Sequence, residues 1–206
     1  MNAKLNQIAI QPVDYQYISH LLSDYRYPRN KISKLLASGE LVSLKRGLYV
    51  LAAHYKTPLV KETVANLLYG PSYISTDFAL SYYGLIPERA YNITSVTTSR
   101  KKSYQTPIGF YSYQQLKSDY YALGYEIHRR EGVSFLIATP EKALCDKLYL
   151  LPVQKDIREF KELIFDDLRI SPYSIKELQR DRIEQYAQAA NHKNLIFLVE
   201  LWRNND

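Results

Sequence analysis

Residues 41–51, Leu-Val-Ser-Leu-Lys-Arg-Gly-Leu-Tyr-Val-Leu, constrain the fold more than any other stretch of this chain. Two short apolar runs flank Lys45-Arg46-Gly47, and Gly47 is free to take the positive φ that a tight reversal needs. Such a segment closes as a β-hairpin with a basic tip. What precedes it is helical. Ile18, Leu21 and Leu22 recur at the spacing of one helix face, and Asp14 stands where an N-cap belongs. A break at Asp24-Tyr-Arg-Tyr-Pro28 follows, with Pro28 suited to the first turn of a second helix. That helix is expected to reach about Ser38 with Ile32, Leu35 and Leu36 inward, and Gly39 ends it. Two helices and a compact hairpin predict a winged helix-turn-helix over residues 1–57.

The charge distribution points the same way. Residues 1–58 hold eight Lys/Arg against three Asp/Glu, whereas residues 59–206 hold nineteen against eighteen. A cationic module beside a nearly neutral body suits a phosphate-backbone binder. On the second helix the outward positions hold Arg29, Asn30, Lys31, Ser33 and Lys34, with Arg26 just before it. Arg29 or Asn30 would read base edges, and Lys31 and Lys34 would neutralise phosphates. Lys45 and Arg46 at the hairpin tip are expected on a neighbouring groove or its phosphates. The same residues also fit a solvated face on a winged helix that docks a partner protein, an alternative without sequence-specific DNA binding.

Thr57-Pro58 marks the expected boundary to a second domain over residues 58–206, an α+β core (58–151) with a helical tail (152–206). Val60, Val64, Leu67 and Leu68 describe a helix ending at Gly70-Pro71. Ser75 and Thr76 each offer a cap for a helix that Gly84 closes. Residues 92–99, 109–113, 125–128 and 133–137 read as strands, the last two joined at Gly132. Thr139-Pro-Glu starts another helix, with Glu141 as a helix-start charge. Helical periodicity then covers 156–168, 174–190 and 193–203. The expected class is therefore α+β: an N-terminal winged helix-turn-helix, then a mixed α/β domain with a helical C-terminal portion.

Arg100-Lys-Lys102 forms a second basic run, expected in a loop, with Tyr104, Tyr111 and Tyr113 nearby. It is a second candidate nucleic-acid contact by charge and stacking, or a solvated loop over core tyrosines. Twenty tyrosines against six phenylalanines suit half-buried surfaces of either kind. The remaining chemistry argues against an enzyme. Four histidines at 20, 54, 128 and 192 lack metal spacing, and neither a phosphate loop nor a nucleophile elbow is present. Asp119, Glu126 and His128 would form a metal site only if their strands met. Glu141 and Lys142, adjacent on a helix, diverge too far to act as an acid–lysine pair. Asp77 and Glu88 read as a cap and a surface charge. No cofactor or metal is expected. Cys145 is single, and no run nears the roughly 18 apolar residues of a membrane span. Without a signal-peptide pattern at the start, a cytoplasmic protein is expected.

Three segments resemble the AbiEi antitoxins of abortive-infection toxin–antitoxin systems. They are Leu36-Ala-Ser-Gly-Glu-Leu-Val-Ser-Leu-Lys-Arg-Gly-Leu-Tyr49, Tyr73-Ile-Ser-Thr-Asp-Phe-Ala-Leu-Ser-Tyr-Tyr-Gly-Leu-Ile-Pro87 and Ile137-Ala-Thr-Pro-Glu-Lys-Ala-Leu-Cys-Asp-Lys-Leu-Tyr149. The resemblance implies a winged-helix repressor that binds operator DNA and controls its own operon. It also implies a C-terminal domain that opposes a nucleotidyltransferase-like AbiEii toxin, without requiring direct contact. The short N-terminal module and the helices after Pro152 depart from that pattern. The segment from Ser75 to Pro87 is expected to pack the two domains together.

Overall fold

A computed structural model describes residues 12–52, 61–130 and 132–203. The expected boundary at Thr57-Pro58 lies outside them. The fold is mixed α+β with two sheets. Among the described residues, no helix is long and apolar enough to cross a membrane.

Local rules set the first elements. Asp14 accepts the amide of Tyr17 at 2.7 Å and caps α1, Tyr15–Leu21. α2, Pro28–Ala37, begins on proline and buries Ile32 and Leu35. Gly39 follows its last turn at φ +73°. β2 (Leu41–Lys45) and β3 (Leu48–Leu51) are antiparallel, and the two-residue β1 (Val13–Asp14) pairs with the far side of β3. Ile18, Leu22, Ile32, Leu35, Leu41, Tyr49 and Leu51 form one apolar core. Alternation sends Leu44, Leu48 and Val50 the other way, into the larger core of the chain. The hairpin is thus buried on both faces and shared by two cores.

The second sheet has six strands in the order β6-β7-β5-β4-β9-β8. They span Ser72–Ile74 (β4), Ile93–Thr97 (β5), Lys102–Thr106 (β6), Gly109–Gln115 (β7), Tyr125–Arg130 (β8) and Val133–Ala138 (β9). The β5–β7 and β4–β9 pairs are parallel; the other three are antiparallel. Two strands were not expected. β4 is only three residues long, too short to show a period. β6 reads Lys-Ser-Tyr-Gln-Thr, a polar sequence tolerated at a sheet edge. Lys102 therefore lies in a strand opposite Tyr113, not in a loop.

Helices cover both faces. The register aligns Ile74, Ser95 and Tyr113 on one face, where Tyr113 donates to the Ala65 carbonyl of α3, Lys61–Leu68. Tyr73 leaves by the opposite face and meets α6, Pro140–Leu150. Asn66 of α3 closes the gap between β4 and β9. Its amide donates to the carbonyls of Ser72 and Leu136, and its oxygen accepts the Leu136 amide at 2.7 Å. α4, Thr76–Tyr82, has α6 and β5 as its principal partners. The Ser75–Pro87 segment thus chiefly braces the larger body from within. A short α5 (Ser118–Tyr121) also went unexpected.

The C-terminal region is more broken than its periodicity suggests. α7 (Ile157–Glu162) runs into a π turn at Leu163–Asp167. The stretch 174–190 is two helices, α8 (Pro172–Glu177) and α9 (Arg180–Ala190). α10 spans Lys193–Arg203. The break between α8 and α9 has a chemical cause: Glu141 accepts the amide of Gln179 at 3.1 Å, just where α9 begins. Glu141 also lies 3.7 Å from Arg182 and is buried, so it is a tertiary tie and not only a helix-start charge.

Candidate nucleic-acid interface

α2 divides cleanly. With Ile32 and Leu35 inward, Arg29, Asn30, Ser33 and Lys34 are exposed, as is Arg26 in the preceding turn. Lys31 is half-buried, its ammonium 5.5 Å from the centre of the Tyr25 ring; Arg26 lies 5.4 Å from that of Tyr27. These contacts hold cations against aromatic faces while leaving them able to meet an anion. Ser33 donates its hydroxyl proton to the Arg29 carbonyl at 3.1 Å, one turn back. It can therefore offer an outside partner only its oxygen lone pairs.

The hairpin tip departs from expectation at Lys45. The ladder shifts register between Ser43 and Lys45, and Ser43 Oγ donates to the Lys45 carbonyl. This irregularity re-aims the lysine. Its Nζ donates to the carbonyls of Leu67 at 3.3 Å and Leu68 at 2.6 Å, the last of α3. A cation suits that negative helix end. Lys45 is therefore a link between hairpin and body. Arg46 is exposed, and the neighbouring Gly47 carbonyl accepts the amide of Tyr15 at 3.1 Å.

The second basic run begins where that link ends. Tyr69, next to Leu68, donates its hydroxyl proton to the Arg100 carbonyl at 3.1 Å. Lys102 Nζ stands 5.3 Å from the Tyr69 ring centre and 5.0 Å from that of Tyr104. Hydrogen bonding to Tyr104 raises the ammonium's pKa above its ordinary value. Tyr69 meets Tyr113 edge-on at 5.3 Å, and Tyr113 is fully buried. Arg100, Lys101 and Lys102 are exposed. Lys45 and the Arg100–Lys102 run thus converge on adjoining residues, Leu68 and Tyr69. Half-buried tyrosines and exposed cations occur here together.

Other predicted positions resolve differently. Asp77 forms an ion pair with Lys147 at 2.7 Å, and Glu88 pairs with Arg169. Ser75 precedes α4 but makes no side-chain cap; its hydroxyl donates to Asp146 at 2.6 Å. Among the described residues, no group of three His, Cys, Asp or Glu is placed to hold a metal. Lys142 turns from Glu141 to Asp146, one helical turn on, and Tyr73 and Ser75 donate to that carboxylate. The i, i+4 spacing of Lys142 and Asp146 was a readable signal for this buried pair.

No family model matches the chain, and no curated protein matches it.

Proposed function

We propose that the chain is a cytoplasmic, non-enzymatic DNA-binding repressor. In this reading, α1, α2 and the β2–β3 hairpin form a winged helix-turn-helix. α2 enters the major groove, with Arg29 and Asn30 toward base edges and Lys31, Lys34 and Arg26 toward phosphates. Arg46 and the run Arg100, Lys101 and Lys102 extend the contact to flanking phosphates, with Tyr69 and Tyr104 beside them. The observation that carries the reading is the exposure of Arg29, Asn30, Ser33 and Lys34 on a helix whose other face is buried. The segments resembling AbiEi antitoxins extend the proposal to autorepression of a toxin–antitoxin operon. The partner would be a nucleotidyltransferase-like toxin opposed without an obligatory complex.

The test is a gel-shift titration on the chain's own promoter across a range of salt. A complex whose affinity falls linearly on a log–log salt plot, and that Asn30→Ala weakens by about 1–3 kcal/mol with relaxed specificity at one position, supports the reading. Absence of promoter protection, with stoichiometric capture of the toxin, selects the protein-docking alternative.

A further inference from the structure

Glu126 and His128 leave β8 on the same face, two residues apart, and point toward the end of α4. Glu126 Oε1 lies 2.8 Å from His128 Nε2, and Tyr82 Oη lies 3.2 Å from His128 Nδ1. A carboxylate only accepts, so Nε2 carries a proton. In the neutral ring Nδ1 then has a lone pair, and the Tyr82 hydroxyl donates to it. The imidazole is held among rings: Tyr83 at 6.1 Å edge-on, Phe135 at 5.9 Å and Tyr82 itself at 5.7 Å between centroids. The Tyr73–Asp146–Lys142 chain is sealed from solvent, whereas Tyr82 is 43% exposed. One side of its phenol meets a positioned base and the other meets water.

We propose that Tyr82 is an activated acceptor hydroxyl for activated carboxylic esters, with His128 as its base and Glu126 holding the base in the reactive tautomer. Tyr82 Oη attacks the ester carbonyl and forms the new O–C bond. Its proton passes to His128 Nδ1, and Glu126 stabilises the imidazolium. The bond to the leaving alkoxide or aryloxide breaks, and that group takes the proton from His128. The products are O-acyl Tyr82 and a free alcohol or phenol, one transfer per chain. Nothing in this step depends on the proposed DNA binding.

The experiment exposes the full chain to p-nitrophenyl acetate and follows acetylation of each tyrosine over time by peptide mass spectrometry. Tyr27 and Tyr91, at 59% and 78% exposed, are the internal references. Tyr82 is expected to react at least about tenfold faster than either, a modest demand against the roughly 10²–10⁴-fold that a positioned base supplies. His128→Gln and Glu126→Gln should bring Tyr82 down to the reference rate with circular dichroism unchanged. If His128→Gln fails to fold, Glu126→Gln decides alone. Equal rates at Tyr82 and Tyr91, acetylation confined to His128, or an unchanged rate in the folded variants would overturn the proposal.

Discussion

Lys142 Nζ lies 2.5 Å from Asp146 Oδ1, and neither side chain has any exposed surface. The ammonium also stands 3.3 Å from the centre of the Tyr120 ring. Removing both charges from water is costly, and hydrogen bonds to the remaining lone pairs compensate: Tyr73 and Ser75 both donate to Asp146 Oδ2. Lys142→Met alone leaves a buried, uncompensated carboxylate and is expected to cost about 3–5 kcal/mol. Adding Asp146→Asn should recover part of that loss, because the amide still accepts from Tyr73 and Ser75 without needing a counter-charge. Urea unfolding of the two variants checks it; a double variant less stable than Lys142→Met contradicts it.

Stability should fall at high pH. Burial, first among the causes, holds the hydroxyls of Tyr73, Tyr111, Tyr113 and Tyr120 above the ordinary phenol range. Tyr121, half-buried, is pushed up to about 12. In the unfolded chain each titrates near about 10. Above that pH the native state keeps protons that the unfolded state has lost. Their contribution is full below about pH 10 and is lost as pH rises toward the folded values. Lys142 works in the opposite direction: burial lowers its pKa despite Asp146. Between that lowered value and about 10.4, the unfolded chain holds the extra proton, so this contribution rises with pH. Several phenols outweigh one amine. Tyrosinate absorbance from the buried rings should appear together with loss of far-ultraviolet circular dichroism, and never before it.

The neighbours Lys45 and Arg46 should separate in experiment. Lys45→Ala removes two hydrogen bonds to the end of α3. It is expected to lower stability by roughly 1.5–3 kcal/mol, the range for a bond to a charged group, with little change in the salt slope of the proposed DNA binding. Arg46→Ala should leave the unfolding midpoint in place and lower that slope by about 1 if the arginine meets a phosphate. A slope for Arg46→Ala equal to that of the unsubstituted chain would remove the hairpin tip from the proposed interface.

Gly124 and Gly84 both sit at φ +71°, but in different surroundings. A Cβ on Gly124 would collide with the Tyr186 hydroxyl, lie 2.6 Å from Tyr186 Cζ and sit 2.9 Å from Lys142 Cβ. A Cβ on Gly84 meets nothing within 4 Å. Gly84→Ala is expected to cost only the backbone strain, about 1–2 kcal/mol. Gly124→Ala adds overpacking and should cost more than about 2 kcal/mol. Thermal midpoints of the two variants measure the difference.

Much of the secondary structure was legible because it rests on neighbours in sequence. Asp14 and Thr139 cap the helices they precede, Gly39 stops α2, and Gly47 and Gly132 take positive φ in their turns. The outward positions Arg29, Asn30, Ser33 and Lys34 of α2 followed from its period, whereas Lys31, also expected outward, is half-buried. β4 and β6 were not legible. A three-residue strand has no pattern, and the polar edge strand repeats the signature of a loop. In the candidate interface, the identity of the cations was readable, but their partners were not. Lys45 and Arg46 look alike in sequence, and only the irregular ladder at Ser43 separates their roles.

The amino-acid order by itself determined where α1, α2 and α6 begin, where α2 ends, where the first hairpin turns and that Ile32 and Leu35 face inward, because caps, turns and periodicity act over a few positions. Tertiary structure decided which distant groups meet: Lys45 with α3, Ser75 and Tyr73 with Asp146, Glu141 with the start of α9, and Tyr82 with His128. These pairs are 22 to 73 positions apart along the chain. Their geometry depends on the order of six strands and on which sheet face each helix covers, neither of which is encoded within one local window.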